Sequence, residues 1–102
     1  MKRIMVRYKV KPDRVGDNET YVRAVFAALQ SKSPPGFRYA TFKLPDGVSF
    51  VHVASIETPD GSSPLPQLAE FKAFTEAIRD RCDEPPVSVD LTDVGSYRFF
   101  GD

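Results

Sequence analysis

The sequence contains one cysteine, Cys82, and one histidine, His52. A lone cysteine cannot form an internal disulfide, and a chain so poor in cysteine is typical of a reducing compartment. A structural zinc site needs four ligands at characteristic spacings, which one histidine and one distant cysteine do not supply. We therefore expect neither a disulfide framework nor a metal site.

Charge of one sign and long apolar runs are also missing. Fourteen lysine and arginine residues balance fourteen aspartate and glutamate residues, so net charge gives no case for binding nucleic acid or an anionic membrane. The basic start, Met1 to Ile4, is followed by no apolar run of signal-peptide or membrane-span length. Glycine-rich nucleotide loops and the nucleophile elbow are absent too. These absences predict a soluble, cytoplasmic protein with no cofactor.

What the sequence does contain is an alternation of strand and helix patterns. Its 102 residues suit a single domain spanning residues 1–102. Apolar and polar residues alternate in the strand segments, and apolar residues recur at helical spacing in two others. Asp17 or Asn18 is the predicted N-cap of the first helix. The predicted elements are a strand at 3–10, a helix at about 18–32, a hairpin at 37–57, a helix at about 66–81 ended by Glu84-Pro85-Pro86, and a strand segment at 87–100 broken at Gly95.

The hairpin turns at Leu44-Pro45-Asp46-Gly47, where proline presets the first turn dihedral and glycine accepts a left-handed conformation. We expect a three-residue loop with a bulge at the glycine. That register pairs Phe42 with Phe50 and Ala40 with His52, which surrounds the histidine with phenylalanine. A loop that differs by one residue would change which side chains of the two strands share a face.

The order of predicted elements, β-α-β-β-α-β, is that of a ferredoxin-like α+β fold, a four-stranded antiparallel sheet with both helices on one face. The second face of the sheet then has no cover within the chain. It carries apolar residues such as Met5, Val51 and Val53, or their opposite numbers. An open, half-apolar sheet on so small a domain predicts a partner, and a homodimer is the simplest one.

Three short motifs connect this order of elements with a known superfamily. They are Val10-Lys11-Pro12 closing the first strand, Phe50-Val51-His52-Val53 in the third, and Phe71-Lys72-Ala73-Phe74 in the second helix. With them the chain resembles the dimeric α+β barrel superfamily, of the antibiotic biosynthesis monooxygenase-like type. The resemblance implies a dimer whose two sheets form a barrel. For some members it implies oxidation of polycyclic aromatic or quinone-like molecules without metal or flavin, and for others haem degradation.

The sequence departs from the active branches of this superfamily where their chemistry lies. Haem-degrading members use an asparagine, a tryptophan and a histidine. This chain has no tryptophan, and its only asparagine, Asn18, falls at the predicted start of a helix. Many relatives have a histidine just before the phenylalanine of the second helix, and here that position is Glu70. No catalytic residue is therefore carried over from the superfamily.

His52 is the candidate catalytic residue, because an imidazole with a pKa near neutrality can accept a proton. The alternative is a histidine hydrogen-bonded within a packed face. The aromatic side chains expected around it are candidate substrate-binding residues, and core packing explains them equally well. These candidates are Tyr39, Phe42, Phe50, Phe71 and Phe74.

Two functions stay open on the sequence alone. The first is a small dimeric protein that binds, and oxidises, an aromatic or quinone-like molecule, with His52 as proton acceptor and tyrosines orienting the substrate. The second is a non-catalytic dimeric module that binds a small ligand or serves as an assembly unit. The lack of a tryptophan, of a usable asparagine and of a second histidine favours the second function. Cys82 is expected to be buried filler rather than a reactive thiolate.

Overall fold

Four strands and three helices form the fold of residues 1–100, the part of the chain that this computed structural model describes. None of these helices is long and apolar enough to cross a membrane. The elements, in chain order, are β1 (Lys2–Val10), α1 (Val15–Lys32), β2 (Phe37–Lys43), β3 (Ser49–Ile56), α2 (Ala69–Glu76), α3 (Ile78–Arg81) and β4 (Cys82–Leu91), with short 3-10 turns at Pro12–Arg14 and Leu65–Gln67.

The four strands form one antiparallel sheet in the order β2-β3-β1-β4. The helices lie on one face of it, since Val25 of α1 and Phe74 of α2 are buried in the same cluster as Tyr8 and Val10 of β1. This arrangement confirms the predicted ferredoxin-like α+β fold. It follows from β1, whose alternate residues Val6, Tyr8 and Val10 turn toward the helices.

The centre of the core is aromatic. The ring of Tyr8 stacks on that of Phe50 with centroids 5.6 Å apart, and it meets the ring of Phe74 edge-on at 6.1 Å. Burying a side chain of this size contributes roughly 1.5–3 kcal/mol to the free energy of unfolding. The same rings exclude water from the polar atoms that lie between them, which sets the conditions for the site described below.

The predicted register of the hairpin is wrong by one residue. Thr41 pairs with His52 and Lys43 with Phe50, so four residues rather than three form the loop. The reason is Asp46, whose carboxylate accepts hydrogen bonds from the backbone amides of residues 48 and 49 at 3.0 and 2.8 Å and from the Ser49 hydroxyl at 2.6 Å. These bonds hold the fourth loop residue in place. Phe42 therefore lies on the open face of the sheet, 54% exposed, and not beside His52.

Both helical segments end at the predicted residues, Lys32 and Arg81, but the first begins earlier and the second is not continuous. α1 begins at Val15 with Arg14 as its N-cap residue, so Asn18 is not an N-cap but an interior residue of the first turns. The second predicted helix is interrupted: a 3-10 turn leads into α2, and α3 follows after Ala77. It ends at Arg81, as predicted, but a strand begins at the next residue, so Glu84-Pro85-Pro86 is not what stops it.

The last strand begins at Cys82, five residues before its predicted start at Val87. Pro85 lies inside the strand, which is possible because β4 is an edge strand and the pairing with β1 shifts register around it. The strand ends at Leu91, and the predicted continuation through Tyr97 and Phe99 is not a strand. Pro85 therefore marks irregular strand pairing rather than the end of a helix.

The second face of the sheet has no helix over it in the described structure. Met5 pairs with Val53 on one side and Val89 on the other, and these side chains share the open face. Val87 and Val89 are 63% and 41% exposed. The segment after β4 lies beside one end of this face, where the guanidinium of Arg3 stacks on the Phe100 ring at 3.8 Å. The expected half-apolar, helix-free face is confirmed.

Gly36, just before β2, lies so close to Thr58 that the position has no room for a larger residue. Its φ is 70°, and a Cβ there would lie 3.1 Å from the side chain and 3.2 Å from the backbone of Thr58. We expect Gly36→Ala to lower the free energy of unfolding by roughly 1–2 kcal/mol in urea titrations. Gly16→Ala is the control, since nothing lies within 4 Å of that position in α1 and alanine favours the helix. Equal effects of the two substitutions would contradict the argument.

Candidate functional site

His52 lies in the middle of β3 with its side chain facing the helices, 5% exposed. Both of its ring nitrogens have hydrogen-bond partners. Nε2 is 2.8 Å from the hydroxyl of Tyr8 on β1. Nδ1 is 2.6 Å from the hydroxyl of Tyr39 and 3.0 Å from that of Thr41, both on β2. The antiparallel register brings these groups together, because β1 presents one hydroxyl and β2 presents two to the same ring.

The hydrogen bonds continue from Tyr8 into the helices. The side-chain amide of Asn18 in α1 donates to the Tyr8 hydroxyl at 2.9 Å. The guanidinium of Arg81, at the end of α3, donates to the Asn18 carbonyl oxygen from Nε and Nη2 at 3.3 and 3.2 Å, and Nη2 also donates to the backbone carbonyl of Phe74 at 2.9 Å. Asn18 and Arg81 are both 0% exposed. We call Arg81, Asn18, Tyr8, His52, Tyr39 and Thr41 the buried polar network.

Burial determines the protonation of this network. Loss of water disfavours the charged form of the imidazole and lowers the pKa of His52 to about 4. The same desolvation raises the pKa of Tyr8 and of Tyr39 above the ordinary tyrosine value. At neutral pH the histidine is therefore uncharged and both tyrosines keep their protons. Arg81 is the one cation of the network, and no carboxylate of residues 1–100 forms an ion pair with it.

Two shallow clefts between α1 and the β2 edge reach the Tyr39 end of the network. Thr41 lines the first and Tyr39 the second, while His52 lines neither. Phe26 lies at the second cleft and stacks on Tyr39 with centroids 5.2 Å apart. A molecule in either cleft would meet a residue whose hydroxyl is hydrogen-bonded to the imidazole, and not His52 itself. The side chains of the first cleft are Glu19, Val22, Arg23, Thr41, Lys43 and Phe50.

The structure brings most of the predicted site residues to His52. Tyr39 is hydrogen-bonded to it, and the Phe74 ring lies 5.5 Å from the imidazole. Phe50 is buried against Tyr8, and Phe71 is half-buried beside Phe74 at 6.0 Å. Their role in binding a substrate stays a prediction.

Phe42 is the predicted site residue that the structure does not bring to His52, because the shifted hairpin register places it on the open face. Tyr97, 81% exposed, is also away from the site. Cys82 is buried, as expected, and burial raises the pKa of its thiol. Among residues 1–100 no three metal-ligating side chains converge.

Sequence reasoning missed Asn18, Arg81 and Thr41. Asn18 was set aside because the helix was predicted to start there. A usable signal existed, since Arg81 follows Phe74 and Ile78 by seven and three residues and so falls on the apolar stripe of the second helical segment. A charged residue on an apolar stripe is rarely buried without partners. Asn18 precedes Val22 and Val25 by four and seven residues and carries the same signal.

Comparison with solved structures gives the same fold. The chain is similar to SnoaB, a cofactor-independent oxygenase from Streptomyces nogalater, with 18% identity, 93% of this chain and 94% of that chain covered, and a TM-score of 0.68. It is similar to a protein from Nitrosomonas europaea provisionally named an antibiotic biosynthesis monooxygenase, with 20% identity, 91% and 89% covered, and a TM-score of 0.74. A further antibiotic biosynthesis monooxygenase shares 13% identity, with 93% and 100% covered and a TM-score of 0.75.

No protein-family model matches the chain, and no curated protein matches it by sequence. The structural neighbours confirm the expected resemblance to antibiotic biosynthesis monooxygenase-like proteins as a likeness of fold. At these identities the likeness extends to the arrangement of strands and helices. What the site does must be argued from its own residues.

The depressed pKa of His52 predicts a pH-dependent stability. The unfolded chain binds a proton on this histidine below pH 6.5, and the folded chain only below about pH 4. Stability therefore falls as the pH drops through this window, by roughly 3 kcal/mol in total at about 1.4 kcal/mol per pKa unit. Urea unfolding from pH 7 to 4 should show this loss in wild type.

His52→Gln should remove that part of the pH dependence. Thr41→Val is the control, because it deletes a hydroxyl bonded to the ring and keeps the titrating histidine. Glu19 and Glu57, whose pKa values are lowered, lose their stabilising effect at lower pH and do so equally in all three proteins. The same slope between pH 6.5 and 4 in His52→Gln would contradict the assignment.

Proposed function

We propose that this protein binds a small aromatic or quinone-like molecule in the clefts beside Tyr39 and Thr41 and oxidises it with molecular oxygen, without metal or flavin. One observation carries the proposal. An uncharged, water-excluded histidine lies 2.6 Å from the hydroxyl of Tyr39, and Tyr39 is one of the residues that line a cleft. Aromatic side chains, Phe26 among them, line the same cleft and match a flat aromatic ligand.

The chemistry requires the protein to favour the anionic form of the substrate. A phenolate or enolate can pass an electron to oxygen, whereas the neutral molecule reacts slowly. A hydroxyl aimed at the developing negative oxygen stabilises that anion, most strongly where water is excluded. For a substrate with an activated CH₂ group the reaction balances as R–CH₂–R′ + O₂ → R–CO–R′ + H₂O. Tyr39, supported by His52, would hold the oxygen of the substrate.

The predicted role of His52 as direct proton acceptor takes a different form in this proposal. Both ring nitrogens are occupied by hydroxyls, so His52 acts on a ligand through Tyr39 or Thr41. The likeness of fold to SnoaB supports the reaction class, because that protein is named a cofactor-independent oxygenase.

Oxygen uptake tests the proposal. Wild-type protein is given hydroquinones and anthrone in an oxygen-electrode assay, and ¹⁸O₂ shows by mass spectrometry whether one oxygen atom enters the product. We expect Tyr39→Phe to lower kcat/KM on the order of 10–100-fold, the effect of one hydrogen bond to a charged oxygen. Tyr97→Phe makes the same chemical change at an exposed position and should leave turnover unchanged.

A non-catalytic ligand-binding module is the second candidate function. The observation that favours it is the full set of hydrogen bonds on the His52 ring, which lines neither cleft and serves the core as it stands. Binding of the same probes without oxygen uptake above background in wild type would assign this function. If Tyr39→Phe consumed oxygen as fast as wild type, the reaction would not take place at this site.

We infer that the open face of the sheet joins two copies of the chain. Val87 and Val89 are exposed on that face beside Met5 and Arg7, where they line a shallow groove. Exposed apolar side chains in contiguous positions are typical of an interface, and a two-fold dimer is the commonest soluble assembly. The assembly expected for the superfamily has the same form, with two sheets facing each other.

Light scattering at micromolar concentration tests the dimer. Wild type should show about twice the chain mass of 11.4 kDa. Val89→Lys places a charge in the centre of the open face and should give the monomer mass. Ala27→Lys adds the same charge on the solvent-exposed side of α1 and should keep the dimer. A wild-type monomer would overturn the inference.

A further inference from the structure

We propose that Arg81 is the positioning residue of this site: it fixes the direction of every hydrogen bond in the buried polar network, so that His52 carries its proton on Nδ1 and Tyr39 offers its hydroxyl hydrogen to an oxygen of the ligand. The ligand in this statement rests on the proposed function. The direction of the hydrogen bonds does not.

The first step is the orientation of Asn18. A guanidinium has only donors, so the atom of Asn18 that faces Nε and Nη2 of Arg81 must be the carbonyl oxygen. The amide nitrogen then faces Tyr8 and donates to its hydroxyl oxygen at 2.9 Å. A flipped amide would turn its own donors against the guanidinium and is excluded on that ground.

The second step is the hydroxyl of Tyr8. Its oxygen accepts from Asn18, and its one hydrogen needs an acceptor because the group is buried. Nε2 of His52, 2.8 Å away, is the acceptor that the structure offers. The opposite direction, with Nε2 donating to Tyr8, would leave the Tyr8 hydrogen buried without a partner, at a cost of about 1–3 kcal/mol.

The third step is the other side of the imidazole. An uncharged imidazole carries one hydrogen, and if Nε2 accepts, that hydrogen is on Nδ1. Nδ1 then donates toward the oxygens of Tyr39 and Thr41 at 2.6 and 3.0 Å. The hydrogen of the Tyr39 hydroxyl then has no acceptor within the network. Because Tyr39 is only half-buried and lines a cleft, we assign that hydrogen to an oxygen of water or ligand there. The site therefore presents a donor and selects ligands with an acceptor oxygen, such as a quinone carbonyl or a phenolate.

The surroundings of Arg81 fit a positioning role. Its charge is fully buried and is balanced by aromatic faces rather than by a carboxylate, with Tyr21 at 4.5 Å and Phe74 at 5.4 Å from the guanidinium carbon to the ring centroids. Its Nη1 is buried with no hydrogen-bond partner in the described structure. A buried cation with an unsatisfied donor lowers the free energy of unfolding. A leucine could fill the same helix position without that cost. What the guanidinium supplies and leucine lacks is a donor-only contact to Asn18.

Nuclear magnetic resonance of the imidazole tests the proposal directly. His52 is the only histidine in the sequence, so the two-bond ¹H–¹⁵N spectrum of ¹⁵N-labelled protein at pH 7 reports this ring without assignment. The expected result is a protonated Nδ1 and an unprotonated Nε2. A wild-type spectrum with the proton on Nε2 overturns the proposal whatever any variant does.

Variants then test whether Arg81 sets this state. Asn18→Asp keeps the shape and the contact to Arg81 but cannot donate to Tyr8, so the Tyr8 hydrogen turns to the carboxylate and the proton of His52 should move to Nε2. Gln30→Glu, the same change at an exposed position of α1, should leave it on Nδ1.

Arg81→Met should give a mixture of the two forms, and Arg81→Lys, also a donor-only side chain, should restore the Nδ1 form. A pure Nδ1 form in folded Arg81→Met overturns the role of Arg81, and the Asn18→Asp result decides if Arg81→Met does not fold.

The ligand is tested with a matched pair of probes, 1,4-naphthoquinone and naphthalene. Tyr39→Phe should weaken binding of the quinone about 10-fold, the equivalent of about 1.4 kcal/mol, and leave naphthalene unchanged. Equal weakening of both probes overturns the donor role of Tyr39. Binding of neither probe by wild type overturns the proposed function, while the histidine spectrum still decides the direction of the network.

Discussion

The hydrogen bond between Arg81 and Asn18 joins the end of α3 to the first turns of α1, across 63 residues of sequence. Both groups are out of contact with water, so each depends on the other for the energy lost on desolvation. The bond fixes where α1 lies over the sheet and which atom of Asn18 faces Tyr8. Packing, helix placement and the state of the histidine all depend on it.

A polar network in so small a core is stable only because apolar rings enclose it. Phe50 and Phe74 lie against Tyr8, and Phe26 lies against Tyr39. These contacts remove water, which strengthens each hydrogen bond and keeps the imidazole uncharged. The aromatic side chains therefore act on the chemistry without a polar atom of their own. The residues that pack the core therefore also set the environment of the site.

The periodicity of apolar residues in the sequence predicted the secondary-structure elements and their order. The first three strands, the order of elements and the apolar face of β1 followed from alternation at two and 3.6 residues, and the structure agrees. The hairpin register depends on one carboxylate, Asp46, and a slip of one residue moved Phe42 to the other face while it brought Tyr39 to His52. The sequence did not predict the roles of Asn18 and Arg81, because polar residues near the ends of helices were read as helix boundaries. Their hydrogen-bond partners lie far away in sequence, so no local pattern connects them.

The two prolines of β4 have a consequence for how the sheet ends. Along an edge strand, successive backbone amides point alternately inward and outward, so one of two neighbouring residues must face the outside. Pro85 and Pro86 are neighbours and neither has an N–H, which leaves this stretch with no donor for an added strand. This stretch of the β4 edge therefore opposes the lateral addition of a strand from another chain. The two prolines, which the sequence suggested as the end of a helix, instead limit the addition of further strands to the sheet at β4.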